Sequence, residues 1–223
     1  MTGSGNCGRN RQTGMGSILA ADDSDTLQFA ADTFRQSGVL LYPTSTVYGL
    51  GGDPLDHAVS ERIQTIKQTS PAKPLLVLTD EWERLDGWLV ATSELHRRLM
   101  VAANDLVITI LFEAGPDVPL HLIGNSGHIA VRKTGHPFCR KLIGSVDSVL
   151  ISTSANRTGS TPPARFRDIE PDILAQSDVA VMGAPCSGLS STIVAIENGR
   201  VVIRREGGVS RESVVARLEL IQA

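Results

Sequence analysis

Residues 40–54 read Leu-Leu-Tyr-Pro-Thr-Ser-Thr-Val-Tyr-Gly-Leu-Gly-Gly-Asp-Pro. The apolar run at 39–42 is the length of a buried strand, and Pro43 ends it because proline brings no backbone donor to a ladder. The stretch that follows is rich in Thr, Gly and Pro and reads as strand end and loop. Thr44, Ser45, Thr46 and Tyr48 place four hydroxyls in five residues. They suit either a small polar ligand or the turn's own backbone. The Gly49-Leu50-Gly51-Gly52 run lacks the full G-x-G-x-x-G and has no Walker lysine after it, so alone it marks a tight turn.

Outward from this stretch, helical and strand patterns alternate. Residues 22–36 put Leu27, Ala30, Ala31 and Phe34 on one face, with Ser24 as cap and Gly38 as terminator. Asp56 caps a helix carrying Val59, Ile63 and Ile66, with Lys67 at its C-terminal end. Strands are expected at 74–78, 106–112, 129–132, 149–152 and 179–182. Helices are expected at 81–88, 93–101, 136–143 and 168–175. Residues 191–196 and 200–205 alternate around Glu197-Asn198-Gly199, a strong hairpin signal because both central turn residues need positive φ. Ser210 caps a last helix with the stripe Val214, Val215, Leu218 and Ile221. The pattern predicts one α/β domain over 18–223, its mixed sheet flanked by helices, behind a disordered tail at 1–17.

Bulk composition excludes more than it assigns. Hydrophobic residues make up 41% of the 223 and aromatics only 4%, so the core rests on Val, Ile, Leu and Ala. A formal charge of −3 gives no global argument for nucleic-acid binding. No apolar run is long enough to span a bilayer, and no secretory signal opens the chain. Cys7, Cys139 and Cys186 form no C-x-x-C pair, and the histidines lack metal-ligand spacing. A cytoplasmic protein without a protein-held metal is expected, its thiols inert. His136, just before Pro137, reads as a capping residue, and Trp82 and Trp88 as packing anchors.

The chemistry concentrates in segments that follow strands, where ligand sites of open α/β sheets gather. Lys67 and Lys73 flank a polar bend and would attract phosphate or carboxylate; each alone is equally well a solvated surface lysine. Ser152-Thr153-Ser154-Ala155-Asn156 follows an apolar strand and offers hydroxyl and amide donors for a phosphate or amino-acid pocket. Arg132 at a strand end suits an amino-acid carboxylate. Lys67, Arg205 and the 152–156 segment suit a triphosphate.

Six of these stretches, taken in order, resemble the YrdC-like threonylcarbamoyl-AMP synthase family. LLYPTSTVYGLGGDP is similar to its P-T-x-T-V-Y-G-L signature, and IKQTSPAKPLLVL to its K-x-R…K-P-L segment. HIAVR, ISTSANRTG, SSTIV and VIRREGGVS resemble its V-R, S-A-N-x-(S/T)-G, S-T-I-V and R-x-G segments. The resemblance spans residues 18–215 and implies a YrdC-like twisted sheet with a concave basic pocket. It implies Lys67, Thr109, Ser154, Asn156 and Arg205 for ATP, with Lys67, Ser154 and Asn156 catalytic. For threonine it implies Thr46, Lys73, Arg132, Ser152 and Ser191. The implied reaction joins L-threonine, bicarbonate and ATP with Mg²⁺, and hands its product to proteins that modify adenosine 37 of tRNA.

Two departures stand out. The K-x-R arginine is Thr69 here, which cannot supply a guanidinium, and Arg62 is a poor substitute. The family's W-P-G-P-x-T stretch is Asn104-Asp105-Leu106-Val107-Ile108-Thr109, in which only Thr109 matches. They leave open a catalytically weak paralogue that binds tRNA, double-stranded RNA or a small ligand instead.

Overall fold

The computed structural model describes residues 16–69, 75–91 and 93–221. Its strands are β1 (Ser17–Ala20), β2 (Leu40–Tyr42), β3 (Gly49–Gly52), β4 (Leu76–Thr79), β5 (Leu89–Val90) and β6 (Ile108–Ala114), then β7 (His128–Lys133), β8 (Leu150–Ser154), β9 (Val179–Met182), β10 (Thr192–Glu197) and β11 (Arg200–Arg205). The α-helices are α1 (Thr26–Arg35), α2 (His57–Lys67), α3 (Glu94–Ala102), α4 (Pro137–Val146), α5 (Pro171–Gln176) and α6 (Arg211–Leu220). One eleven-stranded sheet runs β1-β9-β2-β3-β8-β4-β7-β6-β10-β11, with β5 off the path against β6. It is mixed: β4 pairs β7 in parallel, for example, while β8 pairs β4 antiparallel.

Strand alternation sorts the side chains between two faces. Val77, Ile110, Val131, Ile151 and Val194 enter the larger core, packed with Ile63 of α2, Leu99 of α3, Ile173 of α5 and Val214 of α6. Leu40, Tyr42, Leu78 and Leu150 point the other way, under Ala30, Ala31 and Phe34 of α1 and Phe138 and Leu142 of α4. These two helices cover only the β9-β2-β3-β8-β4 side of their face. The β7-β6-β10-β11 side of it stays open and becomes the floor of a cavity.

Several expectations shift, each for a local reason. The first helix starts at Thr26 rather than 22, because Thr26 Oγ1 donates to Ala20 O (2.6 Å) and Asp23 Oδ1 accepts from Asp25 N (3.0 Å). Ser24 Oγ donates to the Asp25 carboxylate instead of capping. The glycine run read as a turn is strand β3. A Cβ on Gly51 would sit 2.1 Å from Ile151 O and 2.4 Å from Tyr42 Oη, so glycine is required there for close approach, at ordinary negative φ. The strand expected at 149–152 runs on through Thr153 and Ser154 as β8, and Ser152 is buried. Residues 82–85 form a short 3₁₀ turn rather than a full helix, with Trp82 packed edge-on to Phe112. Ser17, placed in the tail, opens β1 against β9; residues 1–15 lie outside the described residues. Val215 of the final stripe is exposed, while Val214 and Leu218 are buried.

The hairpin behaves as read: Asn198 (φ 50°) and Gly199 (φ 71°) are both left-handed between β10 and β11. Asp56 and Ser93 also cap as read, accepting from Ala58 N and His96 N.

Candidate active site

The open half of the sheet forms the floor of a cavity of about 650 Å³. One row of cross-strand neighbours runs Ser152, Leu76, Ala130, Leu111, Ala195 over β8, β4, β7, β6 and β10. It is apolar along β4, β7, β6 and β10 and small at Ala130 and Ala195, which leaves depth for a ligand. The strand ends on one side of this row carry Arg132, Thr109, Ile193 and Arg205, and the other side carries His128 and Glu197.

Arg132 is only 7% exposed. Alternation along β7 sends Ile129 and Val131 into the core and His128, Ala130 and Arg132 to the cavity. Its Nη1 donates to Thr46 Oγ1 (3.0 Å), which lies 3.0 Å from Thr44 Oγ1. Thr44 Oγ1 in turn accepts from the Thr46 and Val47 amides at 3.1 and 3.3 Å. The hydroxyls after Pro43 therefore serve the turn and the cavity at once. Burial pushes the Arg132 pKa down from its very high ordinary value, with nearby Arg205 acting the same way. Arginine remains charged through such shifts. Burial also drives the Cys139 thiol up to about 12, so it is protonated and inert, as expected from sequence.

A second group of donors lies on β6, β10 and β11. Thr109 Oγ1 is 2.7 Å from Ser191 Oγ, and Arg205 Nη2 donates to Ser191 O at 3.0 Å. Thr46, Thr109, Arg132, Ser152, Ser154, Ser191 and Arg205 thus line one cavity.

Two sequence candidates sit just outside the lining. Lys67 is buried at the end of α2, and its ammonium donates to the carbonyls of Ser154 and, at 2.6 Å, Asn156. Asn156 Nδ2 donates to Arg157 O (2.8 Å) and Ser160 O (2.6 Å), closing the loop on itself, while its buried Oδ1 has no donor among the described residues. Lys73 lies outside the described residues. Arg62 is engaged by Asp178 and by Gln176 O, so it does not replace the arginine absent at Thr69. His136 occupies the N-cap position of α4 but makes no side-chain cap, and its Nδ1 is buried without a partner among the described residues.

The sequence reading gave no ligand role to Ser126, His128 or Glu197, all of which line the cavity; Thr153 and Arg204, which also line it, lay inside segments it had marked. His128 was within reach of it, since it shares β7 parity with Arg132. Arg204 was as well, since it shares β11 parity with Val202, the cross-strand neighbour of Ala195; it is Arg205 that reaches the cavity through a bulge.

Residues 32–207 match the Sua5/YciO/YrdC family model, described as Telomere recombination. The chain is 32% identical over 167 residues to the Threonylcarbamoyl-AMP synthase of Stenotrophomonas maltophilia, covering 74% of this chain and 89% of that protein. Among solved structures, a double variant of P. abyssi Sua5 superposes with TM-score 0.85 at 24% identity, over 91% of this chain. The chain spans 63% of that Sua5 chain. P. abyssi Sua5 in complex with L-threonine superposes with TM-score 0.80 at 22% identity, over 90% of this chain and 60% of that one. The chain belongs to the Sua5/YciO/YrdC family.

Proposed function

We propose that this chain is a threonylcarbamoyl-AMP synthase, which makes threonylcarbamoyl-AMP, pyrophosphate and water from L-threonine, bicarbonate and ATP. The observation that carries this reading is the buried Arg132 guanidinium, held by Thr46 in the cavity that also gathers Ser154, Ser191 and Arg205. A buried planar cation with one hydroxyl partner suits a small carboxylate, because its remaining donors form a fork that matches both oxygens.

In the proposed reaction the threonine carboxylate lies on Arg132, near Thr46 and Ser152. The amine nitrogen bonds to the bicarbonate carbon, and water carries away the hydroxyl with an amine proton. A carbamate oxygen then attacks the α-phosphorus of ATP. The bond from that phosphorus to the bridging oxygen breaks, and pyrophosphate leaves. The step needs positioning and charge neutralisation more than a covalent nucleophile. Arg205 and the hydroxyls of Thr109 and Ser154 receive the phosphates, while Ser191, 2.7 Å from Thr109, stays with the threonine end. Lys67 positions the 154–156 loop from beneath through the two carbonyls it binds, and Asn156 closes that loop. Lys73 belongs to the threonine end on the resemblance of its segment.

Among the described residues, no three His, Cys, Asp or Glu side chains converge on a common point. In this reading Mg²⁺ enters as part of the nucleotide substrate. The product is a mixed anhydride, prone to hydrolysis, so we place its consumers, proteins that modify adenosine 37 of tRNA, in the same compartment. We take that compartment to be the cytoplasm, where Cys139 and Cys186 would stay free thiols.

Pyrophosphate release from ATP tests the reading. It should require both threonine and bicarbonate and fall steeply in Arg132→Ala. Release equal in wild type and variant, or independent of threonine, rejects it.

A further inference from the structure

The hairpin that closes the cavity carries an irregularity. Val194 pairs with Ile203, but Ile193 pairs with Arg205, so Arg204 is the extra residue of a β-bulge. In a regular strand, neighbours point to opposite faces. A bulge re-aims one of them, and here both Arg204 and Arg205 line the cavity. Arg205 is oriented by its bond to Ser191 O. Arg204 instead pairs with Glu197 across the hairpin, with side-chain exposures of 54% and 36%.

Two adjacent guanidiniums on one face repel each other unless an anion lies near. Glu197 is the only carboxylate in the cavity lining among the described residues. Arg132 is committed to the Thr46 end, and the Lys67 ammonium is turned to backbone carbonyls. A half-exposed ion pair is weak and exchanges partners readily. We propose that Arg204 is a second polyphosphate-binding cation of this pocket, set on the cavity face by strand alternation beside the Arg205 that the bulge turns there, and held by Glu197 until a nucleotide polyphosphate displaces that carboxylate. The inference rests on the ATP reading above. It adds that the nucleotide's β- and γ-phosphates, rather than its nucleoside, meet the β10–β11 hairpin. Glu197 then tunes affinity downward by competing for Arg204.

Calorimetric titration of the full chain with ATP and with AMP tests this, using wild type, Arg204→Gln and Glu197→Gln, with melting temperatures as the folding control. Arg204→Gln should weaken ATP about tenfold, the scale of one partly exposed charge-assisted hydrogen bond, and leave AMP within about twofold. Glu197→Gln, which frees the guanidinium, should tighten ATP severalfold. Unchanged ATP affinity in Arg204→Gln overturns the proposal. So does equal weakening of ATP and AMP, or weaker ATP binding in Glu197→Gln, which would make the pair a structural clasp. A wild-type chain that binds no ATP defeats the nucleotide reading as well. A wild type that binds ATP with or without Arg204 defeats this inference alone.

Discussion

Arg132 and Lys67 show how differently two buried cations are used. Arg132 gives one donor to Thr46 and keeps the rest of its fork toward the cavity, whereas Lys67 gives its charge to the Ser154 and Asn156 carbonyls. Arg132→Ala should therefore raise the threonine KM about 100-fold, on the scale of losing a buried charge pair, while the ATP affinity changes little. Steady-state kinetics with each substrate varied in turn would check the split. Lys67→Met should lower unfolding free energy by about 2 kcal/mol, because it strands two buried carbonyl acceptors. Urea titration would show it, and unchanged stability would mean the ammonium does not hold the loop. The sequence marked Arg132 for an amino-acid carboxylate and Lys67 for a triphosphate. It could not show which of them lines the cavity, since that depends on the 154–156 loop crossing the end of α2.

Among the elements, β3 was the least legible. Its glycines imitate a turn, yet Gly51 is set by the neighbouring Ile151 carbonyl and Tyr42 hydroxyl on either side. Gly51→Ala should cost about 3 kcal/mol by prising β3 from β8, read as a lower urea midpoint. A variant as stable as wild type would mean the strands can part without cost. Strands with a clear period or a turn signal, such as β7 and the β10–β11 hairpin, were readable to within one or two residues. What alternation could not reveal was the bulge at Arg204, because it comes from pairing with β10 and not from composition. Helix starts slipped where short-range side-chain bonds compete with the helix, as Thr26 and Asp23 do before α1.

At the scale of the whole molecule, the alternation of helix and strand gave the α/β class, and the order of the six stretches gave the family. Sheet order and the half-covered face are products of long-range pairing, so the cavity itself needed the structure. The same burial sets a pH response. Burial lowers the pKa of His96, His121 and His136, and the bond from Lys133 lowers that of Glu81. The unfolded chain then binds more protons than the folded one as acid is added. Stability should decline once the pH falls below about 6.5, the ordinary histidine value, and fall further through the carboxylate range. Urea midpoints at pH 7.5 and 5.5 would show the decline, and a flat or rising trend would contradict it. In the proposed reaction one cavity joins threonine, bicarbonate carbon and the AMP moiety of ATP. Incubation with ¹³C-bicarbonate, threonine and ATP, followed by mass spectrometry, tests it most directly. Threonylcarbamoyl-AMP carrying the ¹³C label should form, and only when all three substrates are present. Nucleotide recovered with no label attached, under conditions where the chain is folded and binds ATP, would contradict it.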